Sequence, residues 1–342
     1  MTETRPILKN QRTVLFAVFL MFLLASFILN VGVGSIHIPF SELLTIVFNH
    51  SSDSTQGAIV WKIRFPRAIA CVLGGAYLSV AGLLLQVFFR NPIVGPFILG
   101  ISSGATLMVS VVMLTTLSLG FQNLAPFLAT LAAFVGAYGV MLLVLAIAAR
   151  VRSAVTLLIV GLMMGYLCHA VTSVLVAFAE KEKIKGFVLW QLGSFSGFKW
   201  SEIQVLFLFG GLVLIVVYGL SKPLNAFLLG EDYASTMGVN IRLFRVLILL
   251  CACALAGMVT SVAGPVAFIG LAVPHMVRLC FSTSDNRILL PGAIVFGGTV
   301  TSLCDFVARV LFSPVELPIS AITAFFGAPI VISLLMKRKV SV

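Results

Sequence analysis

Residues Arg90–Thr106 read RNPIVGPFILGISSGAT, and they lie between two long apolar runs. Pro92, Pro96, Gly95, Gly100 and Gly104 all break or loosen a helix. Proline has no amide hydrogen and leaves a carbonyl without its helical partner. Inside a bilayer such a group needs protein or water beside it. The stretch is therefore expected to face protein or a wet path rather than acyl chains. Asn91–Pro96 would form a turn, and Gly100 and Gly104, a GxxxG pair, would open a closely packed helix. Ser102 and Ser103 either face a path or satisfy freed carbonyls.

The rest of the chain explains why a bilayer is the frame. Of 342 residues, 60% are hydrophobic and 10% charged, with mean hydropathy +1.16. A soluble domain carries about 25% charged residues. So few charges cannot cover a soluble surface, and the apolar runs are of membrane-spanning length. The net charge of +11 lies mostly between apolar runs, with no basic patch interleaved with exposed aromatics. Nucleic acid is set aside as a partner. Cys71, Cys168, Cys251, Cys253, Cys280 and Cys304 all fall inside apolar runs. They form no CxxC pair and read as small buried apolar residues rather than metal ligands.

The fold class read from this pattern is all-α: a polytopic membrane protein, one transmembrane domain over 1–342. About ten spans are expected, near 13–34, 68–89, 97–117, 124–149, 154–178, 202–221, 243–263, 267–282, 290–311 and 317–336. The basic N-terminus resembles the start of a signal peptide, but its apolar core is too long, so a retained first span is expected. With both termini inside, 14 of the 22 Lys and Arg residues lie inside and 8 outside. That bias favours an N-in, C-in orientation. The outer set still holds Lys62, Arg64, Arg67, Lys181, Lys183, Lys185, Lys199 and Arg309, more than the rule explains.

Three connectors look structured. Residues 38–50 read as an amphipathic outer-surface helix. Residues 222–245 form the longest inside loop, where Glu231 and Asp232 open a helical turn and Gly238 ends it. Residues 312–329 enter the last span. The four residues SVAG occur at 79–82 and again at 261–264. Five spans apart, the copies would have opposite orientation, as in an inverted repeat.

Several chemistries are missing. Ion-coupled carriers keep acids within the membrane, yet the only deep acid is Asp305, one turn before Arg309, where a local ion pair is expected. No GxxxxGK[ST] loop, HExxH or GxSxG is present. Energy for transport would come from another subunit. His169 lies mid-span, a packed or cavity-facing residue, and His275 follows Pro274.

The pieces RFPR…GGAYLSVAGLLLQVFFRNPIVGPFILGISSGA, WQLGSFSGFKW (190–200), LGEDYASTMGVN (229–240), GPVAFIGLAVPHMVRLC (264–280), DFVAR (305–309) and ELPISAITAFFGAP (316–329) occur in this order. Together they resemble the permease subunits of ABC importers for iron-siderophores, haem and vitamin B12. The resemblance implies the type II ABC importer permease fold, with a second permease copy, identical or not, around a central path. It also implies two ATPase subunits inside and a periplasmic or lipid-anchored substrate-binding protein outside. The chain itself would be no enzyme and hold no cofactor, ATP and Mg belonging to the ATPases. The setting would be the bacterial inner membrane.

Carried over residue by residue, Arg64, Arg67 and Arg309 are the outer-rim arginines that meet carboxylates on the binding protein. Glu231, Asp232, Tyr233, Ala234, Ser235, Met237 and Gly238 form the coupling helix that seats in an ATPase cleft. Path and gate candidates are Ser102, Ser103, Gly104, Ser153, Thr156, Met163, Met164 and His169. The gate lies within 153–158, where the sequence departs from the family pattern. The expected cargo is a ferric siderophore, haem or cobalamin. The rival reading is a secondary carrier driven by an ion gradient.

Overall fold

The structure, a computed structural model, describes residues 9–34, 36–49, 54–115, 125–148, 150 and 154–338. All regular elements among them are helical. α1 (Lys9–Gly32) leads to α2 (Phe40–Phe48), a short helix over one end of the bundle. α3 (Thr55–Ile59) runs through a π-helical turn (Val60–Arg64) into α4 (Phe65–Phe88). A 3-10 turn (Pro96–Leu99) precedes α5 (Ile101–Leu114), followed by α6 (Ala125–Ala148), α7 (Ala154–Phe178) and α8 (Lys181–Gln191). α9 (Trp200–Val205) passes through a second π turn (Leu206–Gly210) into α10 (Gly211–Gly219). α11 (Ser221–Leu228) and α12 (Glu231–Thr236) are short. α13 (Ile241–Ala263), α14 (Ile269–Phe281), α15 (Asn286–Val310) and α16 (Ile319–Arg338) complete the chain.

Seven of these helical stretches are long and apolar enough to cross a membrane, and three apolar helices are shorter: Ile101–Leu114, Ile269–Phe281 and Ile319–Ser333. Each overlaps one of the expected segments, though Thr55–Phe88 begins well before the expected 68. α5 and α14 are short for a common reason: each follows a proline-bearing break, at Pro92 and Pro96 and at Pro265, whereas α16 runs 20 residues to Arg338. At 1.5 Å per residue, α5 rises only about 21 Å, less than the roughly 30 Å hydrocarbon core. The non-helical residues before it must then be shielded by protein. They are: Val94, Gly95, Pro96, Leu99 and Gly100 are all buried, packed against α7 and α14. Gly100 adopts φ +75°, a left-handed conformation that costs glycine nothing, and so turns the chain into α5.

The bundle has a buried centre and a rim. In the most apolar windows, 83% of residues are buried for Thr55–Phe88 and 78% for Ile241–Ala263, against 17% for Val155–Phe178. α4 packs on α14 and α15, whereas α13 packs on α5 and α6. α5 lies beside α6 and α7, as α14 lies beside α15 and α16. Helices α4–α7 and α13–α16 thus have matching neighbours, each set lending its first helix to the other. The SVAG echo is not what they share, since Ser79–Gly82 lies mid-α4 and Ser261–Gly264 ends α13.

Glycine sets the closest crossings. A Cβ on Gly75 would overlap the Gly297 carbonyl, and one on Gly297 the Gly75 carbonyl. Gly82 meets the Gly270 backbone in the same way, and Gly104 meets Gly136, so the expected tight packing of the third span falls on α6. The second π turn leaves a carbonyl in need of a partner. The Tyr77 hydroxyl donates to Leu206 O at 2.8 Å. A smaller cluster of Val31, Ile38, Leu43, Ile46, Val60 and Ala68 seats α2.

Candidate functional site

Two ends of the bundle carry the charged chemistry. At the first, α1 terminates beside α4 and α15. The last carbonyls of a helix have no intrahelical partner and form the negative end of its dipole. α1 has no basic residue of its own in its last turn. Arg64 supplies the charge: its Nη1 donates to Val31 O (3.0 Å) and Gly32 O (2.9 Å), and its Nη2 to Ile36 O. Arg67, one turn on, donates from Nε to Asp305 Oδ2 (2.9 Å), from Nη2 to Asp305 Oδ1 (3.0 Å) and from Nη1 to Glu316 Oε1 (2.7 Å). Arg309 donates to both O and Oδ1 of Asn30 at 3.0 Å. Asn30 in turn donates to Ser302 Oγ at 2.8 Å.

Two expectations change here. Asp305 does not pair with Arg309. The i,i+4 spacing makes them neighbours, but Arg67 offers a two-pronged fork from α4, and a bidentate guanidinium–carboxylate pair outcompetes a single contact. Nor are the three arginines open rim charges. Arg64 is 3% exposed, Arg67 6% and Arg309 6%. Each is held by carbonyl, amide or carboxylate groups of this chain. The exposed cations at this end are Lys62, Lys181, Lys185 and Lys199.

At the opposite end α12 projects from the bundle. Gly230 (φ 132°) and Gly238 (φ 83°) bound it, and Gly238 lets Val239 N reach back to Ala234 O at 3.1 Å. Asp232, Tyr233, Ser235, Met237 and Gly238 are exposed, with Tyr233 at 48% and Met237 at 62%. Glu231 is half-buried in an ion pair with Arg245 of α13. Ala234 is fully buried, so it seats the helix rather than touching a partner. Beneath lies α11. Its Asn225 donates to Asp285 Oδ1 (2.6 Å) and accepts from the backbone N and side-chain Nδ2 of Asn286 (2.8 Å each).

The path candidates do not converge on one cavity. Ser102 is buried, Ser103 lies beside Gly165 of α7, and Gly104 is fixed against α6. Thr156, Met163 and His169 are exposed on α7, and Met164 is half-buried. Ser153 lies outside the described residues. A cavity of about 960 Å³ sits elsewhere, between α6, α8 and α9, lined by Phe134, Trp190, Lys199 and Glu202 among others. No group of three His, Cys, Asp or Glu able to hold a metal occurs among the described residues.

Sequence reasoning missed four polar residues that organise these ends: Asn30, Gln86, Asn225 and Glu316. Asn30 and Gln86 carried a readable signal, since a lone amide within an apolar helix has to find partners. Gln86 finds them on α14, donating to Leu271 O (3.1 Å) and accepting from Arg278 (2.7 Å).

A family profile described as the FecCD transport family matches residues 22–337. The chain belongs to the FecCD transport family. It is 36% identical over 285 residues to the vitamin B12 import system permease protein BtuC of Salmonella typhi, covering 83% of this chain and 86% of that protein. The corresponding protein of Salmonella arizonae is 37% identical over 285 residues, covering 83% and 85%. A solved structure described as an inward-facing metal-chelate type ABC transporter superposes with TM-score 0.82 at 26% identity, covering 95% of this chain and 99% of that one. As a FecCD protein, the chain is a multi-pass, all-helical permease of the type II ABC importer kind. The resemblance seen in the sequence holds at the level of family and fold.

Proposed function

We propose that this permease carries cobalamin, or a metal chelate of similar bulk, across a bacterial inner membrane. It works as a pair of permeases with two ATPase subunits and a substrate-binding protein. The observation that carries the ATP-driven reading is α12. Around the six-residue helix, Leu229, Tyr233 and the C-cap Met237 are all exposed, a grouping of apolar side chains that a partner would cover, and the acidic first turn leaves the helix polar enough to stay exposed. The rival, an ion-gradient carrier, needs a titratable acid free within the membrane. Among the described residues the one deep acid, Asp305, is fixed by Arg67.

The thinly covered face of α7, with Met163, Tyr166, His169 and Ser173 exposed, supports a second copy on that side, with the path between copies and the gate near 153–158. Cobalamin is preferred because the relatives above are named for vitamin B12. At the Arg67 end, Arg67 is the docking arginine of the three. A carboxylate on the binding protein would replace Glu316, whose side chain is 39% exposed. Arg64 and Arg309 support that surface from beneath.

The test is reconstitution in proteoliposomes with the ATPase and binding protein, comparing cyanocobalamin, a ferric hydroxamate and haem as stimulants of ATP hydrolysis. Stimulation by cyanocobalamin supports the assignment. Stimulation by another chelate alone would move the substrate class, and uptake without any ATPase would replace the reading with the carrier.

A further inference from the structure

α4 and α15 are locked together at three levels. At one end Arg67 of α4 grips Asp305 of α15 through two hydrogen bonds of 2.9 and 3.0 Å. Midway, Gly75 and Gly297 bring the two backbones into direct contact, and Gly298 lies against Val72. At the other end both helices rest on α11. Phe88 of α4 stacks on Phe227 at 6.2 Å between ring centroids and 6° between planes, and the Arg90 guanidinium lies 5.6 Å from the same ring. The first turn of α15 is held through Asp285 and Asn286 by Asn225. α15 has 25 residues, about 37 Å at 1.5 Å each. The pair therefore joins both ends of the molecule.

α12 packs on α11 and on α13. α11 is thus one of two routes by which a load at α12 reaches the α4–α15 pair, and the one that touches both of its helices; the other runs through α13, which is ion-paired to α12 and packs on α4. Pro291 is a weak point early in α15, but Phe88 and Phe227 bypass it through α4. At the far end the exposed residues 311–316 join the pair through Glu316, which holds Arg67 at 2.7 Å.

We propose that α4 and α15 act as one transmembrane strut coupling the α12 face to the 311–318 segment, with Asn225 the positioning residue that ties the strut to α11. The proposal rests on the permease reading only for naming the two faces. Coupling between sites is reciprocal, and typical values run from about fivefold upward.

Hydrogen–deuterium exchange on the chain alone, in nanodiscs of phosphatidylethanolamine and phosphatidylglycerol, tests it. Asn225→Asp sets two carboxylates against each other. Adding Asp285→Asn restores a complementary pair, and asparagine still caps a helix. In Asn225→Asp, exchange should rise about fivefold both at 285–290 and at 311–318, and both should return in the double variant. From the other end, Glu316→Gln should raise exchange at 221–230; this arm carries the test if Asn225→Asp does not fold. A rise confined to 285–290, or to 311–318 with Glu316→Gln, overturns the strut. The permease reading fails by a different result, namely wild-type protein that recruits no ATPase.

Discussion

Arg67 and Asp305, 238 positions apart, form a forked ion pair in which Asp305 is 1% exposed and the arginine side chain 7%. This contact closes α4 onto α15. Removing one partner of a buried pair leaves a charge without compensation, typically at 3–5 kcal/mol. Glu316 still holds Arg67, so Asp305→Asn should cost near the low end, about 3 kcal/mol. Glu316→Gln, at a partly exposed site, should cost less than about 1 kcal/mol. Cys71, Cys251, Cys253 and Cys304 are buried, so thermal unfolding in detergent can be followed by a thiol-reactive dye. Equal melting points for the two variants would contradict this order.

Docking should respond to the same residues with opposite signs. Glu316→Gln frees one face of the Arg67 guanidinium and should raise the association rate of the binding protein several-fold at low salt. Arg67→Gln should lower it. Both effects should shrink as ionic strength rises, because charge pairs at an interface act chiefly on encounter. Surface-binding kinetics at two salt concentrations check this. Rates unchanged by both variants would remove Arg67 from the interface.

The helix crossings should tolerate no added carbon at Gly82. A Cβ there would land on the Gly270 backbone, which has no flexible end to move aside. Overpacking of this kind costs about 1–3 kcal/mol, occasionally more. Gly139→Ala in α6 meets nothing within 4 Å and should be neutral or slightly stabilising. The monodisperse yield on size exclusion should fall for Gly82→Ala and hold for Gly139→Ala.

At α12 the exposed and buried positions should separate cleanly. Tyr233→Asp should abolish co-purification of the ATPase while the permease stays folded. Met237→Ala should weaken capture several-fold. Ala234→Asp buries a charge and should lower the melting temperature as well. Capture unaffected by Tyr233→Asp would take α12 out of the ATPase contact.

Much of this architecture could be read before any coordinates. The ten apolar segments, the turn at Asn91–Pro96, the tight start of the third span and the short helix at Glu231 follow from hydropathy and from glycine and proline chemistry, which are local. The fates of the arginines were not readable in that way. Arg64 caps a helix that ends at Gly32, and Arg67 bypasses the neighbouring arginine's turn to reach Asp305 from another helix. Those choices depend on which helix lies alongside, and helical spacing favoured the wrong partner for Asp305. Ala234 shows the same limit on a smaller scale: the sequence placed it in a contact helix, but only the seating of α12 on α11 decides which face is covered.

The Asn30–Arg309 contact has a consequence for how the protein is made. The partners are 279 positions apart, and chains are synthesised at about 5–20 residues per second. Asn30 therefore enters the bilayer with the first helix and waits roughly 14–56 s before Ser302 and Arg309 leave the ribosome. For that interval the Asn30 side chain has Ser26 O of its own helix to donate to, at 3.1 Å, while its oxygen lacks the arginine that it meets in the finished fold. An unfinished chain therefore differs from a completed one in the partners of this single amide.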